Sequence, residues 1–149
     1  MKTKLPHNTN AEKAVLGAML VSSEALADAL GSLTVDDFYS GNRKHQLVFQ
    51  AMRNVQDKRR PVDFQTVTEE LLNLKELDNV GGIDFLLDLS NSAISFTNLD
   101  FYVKIVQEQA LLRNLLLTMG DVMDEYENEQ IENISDFIAD ADRRISKIA

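Results

Sequence analysis

Residues 98–126 limit most sharply what this chain can fold into. Tyr102, Ile105, Leu112, Leu116, Met119, Met123 and Tyr126 recur at spacings of three and four, and only Gln109 breaks the line. That spacing puts them on one face of a long helix. A second stripe follows: Ile134, Ile138, Ala141, Ile145 and Ile148 alternate steps of four and three, predicting a helix over about 135–148. Between them lies the acidic stretch Asp124-Glu125-Tyr126-Glu127-Asn128-Glu129-Gln130, which has little to bury and reads as the turn of a helical hairpin. Two such stripes form a coiled-coil-like seam. They carry more apolar surface than one partner helix needs, so the hairpin is expected to associate with something else.

The preceding hundred residues read as short helices. With six Gly and two Pro in 149 residues, breaks in helical pattern are few. Thr9 and Glu12 match a capping box, followed by a helix to about Val21 that buries Ala11, Val15, Leu16, Ala18, Met19 and Leu20. Ser22 or Ser23 caps a second helix over about 24–30, with Gly31 suited to its left-handed end. Phe38 and Tyr39 are expected to anchor a junction. A third helix runs from Ser40-Gly41-Asn42 to about Gln56, with His45, Val48, Phe49, Met52 and Val55 inward. Pro61 enforces its end. Asp63 caps a fourth helix carrying Phe64, Val67, Leu71 and Leu74. Asp78-Asn79-Val80-Gly81-Gly82 is a turn before a fifth helix, 83–89, that packs Leu86 and Leu87. Thr97 or Asn98 caps the long helix. No stretch alternates with period two. The fold class is all-α: a globular head of five or six short helices over 1–100, then a long antiparallel helical hairpin over 101–149, the two forming one domain.

Composition narrows function. The net charge is −9, with 10 basic and 14 acidic groups in 1–100 and 5 and 10 in 101–149, so no large basic field is present to neutralise phosphates. An acidic surface favours basic protein partners. Lys58-Arg59-Arg60 is the only basic run; it is a minor candidate for nucleic-acid contact, and an exposed loop is the simpler reading. Cysteine is absent, which removes disulfides and thiolate chemistry and fits a cytoplasmic protein. Residues 1–6 lack the apolar run of a signal peptide, and no window approaches a membrane span. No phosphate-binding G-x-x-x-x-G-K-[ST] loop occurs. The two histidines, His7 and His45, lie in unrelated segments, and His45 reads as a half-buried side chain satisfied by a carbonyl or carboxylate. Asp121, Asp124 and Glu125 have chelating spacing but no calcium-loop pattern. No catalytic or metal residue can be named.

An ordered set of segments covering nearly the whole chain resembles the N-terminal domain of the bacterial replicative DNA helicases, the DnaB family. It comprises Asn10-Ala11-Glu12-Lys13-Ala14-Val15-Leu16-Gly17; Asp37-Phe38-Tyr39 with His45 and Phe49; Pro61-Val62-Asp63 with Thr66-Val67 and Leu71; Gly81-Gly82 with Phe85-Leu86 and Leu89; and Asn98 with Tyr102, Ile105-Val106, Glu108 and Leu112-Arg113. Phe85 departs from the family, which often has Tyr there; the acidic turn varies in the family. The resemblance implies a non-catalytic collar domain of a hexamer built as a trimer of dimers, with hairpins pairing in one contact and heads in the other. It implies docking of primase and contacts with a helicase loader. ATP and Mg²⁺ would belong to a motor domain outside this chain. On this reading Leu112, Leu115, Met119, Ile134, Ile138, Ala141 and Ile145 are the candidate dimer surface of the hairpin. Phe85, Leu116, Val122 and Met123 are the candidate primase-docking residues. The helicase-binding domain of primase, also a helical head with a hairpin, and a free-standing helical adaptor are the competing readings. Ala11-Glu12 to Gly17 and Asp37-Phe38-Tyr39 favour the helicase.

Overall fold

A computed structural model describes residues 4–149; Met1, Lys2 and Thr3, the start of the segment read above as lacking a signal peptide, lie outside the described residues. Among those described there are helices and turns and no strand. The helices are α1 Thr9–Val21, α2 Ser23–Ser32, α3 Arg43–Asp57, α4 Phe64–Asn73, α5 Gly82–Asn91, α6 Leu99–Asn128 and α7 Ile134–Ser146, with 3₁₀ turns at Val35–Asp37 and Phe96–Asn98. No helix is long and apolar enough to cross a membrane among the described residues.

Helix α1 is the centre of the head. Ala11, Ala14, Val15, Leu16, Ala18, Met19 and Leu20 are all buried, because α2, α3, α5 and α6 surround it. A helix apolar on every side requires such enclosure. Gly17 lets α5 come close: a Cβ there would sit 2.1 Å from the Leu89 carbonyl oxygen and 3.0 Å from the Ala93 nitrogen. The inward lines predicted for α1 and α3 are all buried, from Ala11 to Leu20 and from His45 to Val55.

Several local expectations change. Asn8, not Thr9, caps α1: its side chain accepts from the Ala11 amide, which frees Glu12 for the interior. Gly31 lies inside α2, which continues to Ser32 and is followed by extended Leu33. Left-handed backbone occurs instead at Arg59 (φ 59°) and Lys75 (φ 60°), and at Gly81 and Gly82. Arg59 and Lys75 end α3 and α4 in the same way. The amide after each reaches back to Val55 and Leu71, 3.2 and 2.9 Å away, closing the carbonyls that a helix end leaves open. Asp63 caps α4 as expected, in a reciprocal pair with Thr66. In α5 Leu86 is buried, but Leu87 is 48 % exposed.

Helix α6 has two roles along its length. Leu99, Val103, Val106, Ala110 and Arg113 face the head and are buried, at steps of four and three that make a second line beside the predicted stripe. The head core therefore continues through Val103 and Val106, across the division expected near residue 100. Beyond Arg113 no residue of α6 is fully buried, and none of α7 is.

Candidate association surface

The residues that most distinguish the sequence converge on an internal polar hub rather than on the surface. Glu12 of α1 is 1 % exposed. Its carboxylate accepts from the Tyr39 amide at 3.0 Å and the Asn42 side-chain amide at 3.2 Å. The same carboxylate lies 2.7 Å from Nδ1 of His45, itself buried. Arg113 of α6 reaches in from the opposite side and donates to the carbonyls of Asp37, at 2.7 Å, and Pro6, at 3.1 Å. Burial pushes the Arg113 guanidinium below its ordinary value, opposed by the nearby Glu12 and Asp37 carboxylates. The Arg113 guanidinium also lies over the Tyr39 ring, 5.8 Å from its centroid, and His7 stacks on that ring at 4.0 Å. Buried polar groups must be paired or they cost stability. Here the pairing ties five segments together: the chain before α1, α1, the 35–42 connection, α3 and α6. His45 thus has a carboxylate partner, as the simpler reading expected, and this partner is 33 residues away in sequence.

That hub fixes where α6 leaves the head, and so where the hairpin projects. Helix α7 returns antiparallel along the far half of α6. Phe137, Ala141, Arg144 and Ile148 are its partly covered line. Arg144 makes a two-pronged pair with Glu125, at 3.0 and 2.7 Å, and lies 3.1 Å from Asp140. Hydrogen bonding to Glu125 raises the Arg144 guanidinium above its ordinary value. Glu125 is therefore engaged by arginine rather than held with Asp121 and Asp124 for a cation.

The predicted seam of α7 closes the hairpin only in part, through Ala141 and Ile148. Ile134 is 69 % exposed and Ile138 60 %. Ile145 is exposed and Ala141 half-buried. On α6, Leu112 and Met119 are exposed and Leu115 half-buried. The physical reason is rotational: with Arg144 drawn to Glu125, the Phe137–Ala141–Arg144–Ile148 line faces α6, so Ala141 and Ile148 of the predicted seam lie inward, Ile145 borders the clefts between the helices, and Ile134 and Ile138 turn outward. The hairpin surface is consequently an apolar belt. A cleft of about 400 Å³ between the two helices is lined by Met119, Val122, Met123, Tyr126, Phe137 and Ile145. Another of about 380 Å³ lies nearer the head, bounded by Leu111, Leu112, Leu115, Ile145 and Ile148.

Candidate residues are regrouped by this geometry. Val122 and Met123, assigned to primase, share a cleft with Met119 and Ile145, assigned to the dimer surface. Leu116 lies in an adjoining groove of α6 with Leu117, Met119 and Met123, the last two shared with that cleft. Phe85 stands apart from them on the head, half-buried, stacked on His45 at 6.0 Å and under the Lys44 ammonium at 5.4 Å. The basic run is largely neutralised within the head: Lys58 pairs with buried Glu70 at 2.7 Å and Arg60 with Glu69 at 2.9 Å. Arg59 holds the strained turn between them. Periodicity missed the hub and the head-facing line of α6. The available signal was Arg113 itself, a charged residue in step with Leu99, Val103, Val106 and Ala110, which marks a buried partner waiting on the other side.

Residues 4–108 match the family model described as the DnaB-like helicase N-terminal domain. The chain is 39 % identical over 145 residues to the replicative DNA helicase DnaC of Bacillus subtilis and 36 % identical over 145 residues to DnaB of Geobacillus stearothermophilus. Each match covers 97 % of this chain and 31 % of the relative, so the chain spans about a third of the length of these curated relatives. The crystal structure of the N-terminal domain of DnaB helicase from Mycobacterium tuberculosis superposes with a TM-score of 0.87 at 31 % identity, over 97 % of this chain and 99 % of that one. A DnaB-like replicative helicase described together with its interactions with primase shares the fold, with a TM-score of 0.75 at 24 % identity over 95 % of this chain and 32 % of that one. The ordered motifs, the all-helical head, the long α6 and these matches together establish that the chain belongs to the DnaB-like helicase N-terminal domain family.

Proposed function

We propose that this chain is a non-catalytic assembly and docking module of a replicative DNA helicase acting in the cytoplasm. It joins copies of itself through the hairpin and heads and receives primase, with a helicase loader as a further partner. The observation that carries the reading is the apolar belt of α6 and α7. Leu112, Met119, Met123, Ile134, Ile138 and Ile145 are all exposed on one projecting hairpin, where covering a large apolar side chain contributes about 1.5–3 kcal/mol. A contiguous patch of that kind marks an interaction site. Membership of the helicase family favours this reading over a primase domain or an unrelated adaptor, and a solved family-fold helicase described with primase supports the choice of partner. No nucleophile or acid–base pair is set up in the hub. Glu12 and His45 hold backbone and each other, and on the family reading ATP, Mg²⁺ and strand separation are assigned to a motor domain.

Light scattering tests self-association. The wild-type chain is expected to exceed monomer mass, and Leu112→Asp and Ile138→Asp each to lower it. Titration calorimetry with the helicase-binding domain of the cognate primase tests docking, where Val122→Asp with Met123→Asp should abolish the heat. Unchanged mass in both single variants removes the hairpin from assembly, and a flat titration of the wild-type chain removes primase as the partner.

A further inference from the structure

On the head, where the start of α3 meets the turn at Asn79, a hollow of about 410 Å³ is lined by Gly41, Asn42, Arg43, Lys44, His45 and Asn79. No hairpin residue takes part in it. Its lining holds two cationic side chains and no carboxylate, in a chain of net charge −9. Arg43 and Lys44 are exposed, and neither forms an ion pair among the described residues. The Lys44 ammonium is placed by Phe85, 5.4 Å above the centre of its ring. The first turn of α3 is also open. Asn42 stands at the N-cap, but its side chain makes no cap bond. It donates instead to Thr9, at 3.3 Å, and to Glu12, at 3.2 Å. The hub thus takes the side chain that would have closed the helix. The His45 and Gln46 amides bond the Asn42 carbonyl, while the Arg43 and Lys44 amides precede the intrahelical pattern and have no acceptor. His45 supplies an independent donor. It is 4 % exposed, and Glu12 holds its Nδ1. Its Nε2 has no hydrogen-bond partner among the described residues, and the ring forms part of the lining.

Everything on this lining that lacks a partner is a donor or a positive charge. Arg43 and Lys44 repel a cation, and no cluster of His, Asp and Glu fit to hold a metal ion occurs among the described residues. An anion meets the reverse: two free amides at the positive end of a 15-residue helix, an ammonium, a guanidinium and an imidazole. With Nδ1–H given to Glu12, the second proton of a charged His45 ring sits on Nε2, where it can be donated. We propose that this hollow binds the phosphate group of a small phosphorylated molecule, held by the Arg43 and Lys44 amides and side chains and by Nε2 of His45. A carboxylate has two oxygens and cannot use so many donors; a phosphate monoester presents three. The volume lies at the lower end of the range of about 300–1,000 Å³ for small-molecule pockets. Nucleic acid is the poorer occupant, because the acidic surface around the hollow repels a polyanion.

The test is a nuclear magnetic resonance titration of the whole chain, labelled with nitrogen-15. Inorganic phosphate is expected to move the Arg43 and Lys44 amide signals and the His45 Nε2 signal together, saturating with a Kd on the order of 1 mM. Adenosine monophosphate should move the same signals at least as tightly. Chloride and acetate at matched ionic strength should leave them in place. A thymidine oligonucleotide without terminal phosphates offers diesters only, and should bind at least about tenfold more weakly than the monophosphate. Arg43→Gln with Lys44→Gln should weaken phosphate binding by about tenfold or more. The urea midpoint of that variant should match wild type, since both side chains are exposed. Lys44→Glu should abolish binding. Four results overturn the proposal: shifts of the same size with chloride or acetate, silence of Arg43, Lys44 and His45 Nε2 while other basic residues respond, wild-type affinity in the double variant, or no response to the monophosphate. An oligonucleotide that binds as tightly as the monophosphate overturns it too, by making nucleic acid the occupant. Light scattering and primase titration report on the hairpin and are independent of these signals.

Discussion

At the scale of single residues, the interior of the head depends on side chains that a hydropathy pattern would place outside. Glu12 is the clearest case. Its carboxylate serves the Tyr39 amide, the Asn42 amide and His45 at once, so its removal leaves the Tyr39 amide and the buried His45 without this acceptor, while Asn42 keeps the Thr9 hydroxyl. Glu12→Ala is expected to cost about 1–3 kcal/mol for each buried donor it leaves unpaired, and Glu12→Gln less, because the amide oxygen still accepts. Urea unfolding checks both. Gly17→Ala is expected to cost about 1–3 kcal/mol by overpacking. The added methyl meets the backbone of α5 at Leu89 and Ala93, and backbone cannot rotate away as a side chain does. Much of the head was legible at this scale: the buried lines of α1 and α3 follow directly from spacing. The roles of Glu12 and Arg113 were not legible, because their partners lie 27–33 and 76–107 residues away in sequence. Periodicity reports which way a side chain points and carries no information about what stands opposite.

At the scale of elements, ends and faces decide. Lys75 closes α4 in left-handed backbone, a conformation costly for a residue with a Cβ. Lys75→Gly should therefore raise stability by about 1 kcal/mol after allowing for the greater freedom of glycine in the unfolded chain, measured as a shift of the urea midpoint at constant slope. The joint between α3 and α4 adds a pH dependence. The hydrogen bond from Lys58 holds the Glu70 carboxyl below its ordinary range, helped by the Asn54 hydrogen bond and the charges of Lys58 and Arg60, while burial pulls the other way. A lowered folded value means that the contribution is complete above the unfolded carboxylate value and disappears as pH falls through the folded one. The stability gap between wild type and Glu70→Gln should accordingly be widest near neutrality and close in acid below about pH 4. A gap that persists unchanged into acid would assign the effect to packing. The faces of α6 were the harder reading. It carries two apolar lines, and spacing alone cannot rank them; the choice is made by which line meets the head first. The stripe through Leu112, Met119 and Met123 is the outward one, and Ile134 and Ile138 of α7 are outward for a related reason: Arg144 and Phe137 join Ala141 and Ile148 on the inner face.

At the scale of the whole molecule, the head and the hairpin differ in how they are held. The head has a continuous core, and the far hairpin has one arginine clamp and a few half-covered side chains. The covalent arrangement conceals this, because α6 belongs to both. Its first half completes the head: Val103, Val106 and Ala110 close the core, and Arg113 satisfies the Pro6 and Asp37 carbonyls. A chain ending at Asp100 would expose the core residues that these cover. The two valines alone account for roughly 1.5–3 kcal/mol each, and the loss of Arg113 leaves two carbonyls without their donor. Set against a total stability of about 5–15 kcal/mol for a domain of this kind, that loss should remove the cooperative transition or lower its midpoint by well over about 10 °C. A chain ending at Thr118 retains every head contact of α6 and gives up only the tip and α7, in which no residue is fully buried. Its melting curve by circular dichroism should keep a single cooperative step within about 5 °C of the parent. Two outcomes would refute this division: a 1–100 fragment that melts like the full chain, or a 1–118 fragment that does not fold. The expected result places the structural boundary after Arg113, within α6. The exposed hairpin beyond it can then evolve its charge and apolar pattern toward partners at little cost to the head.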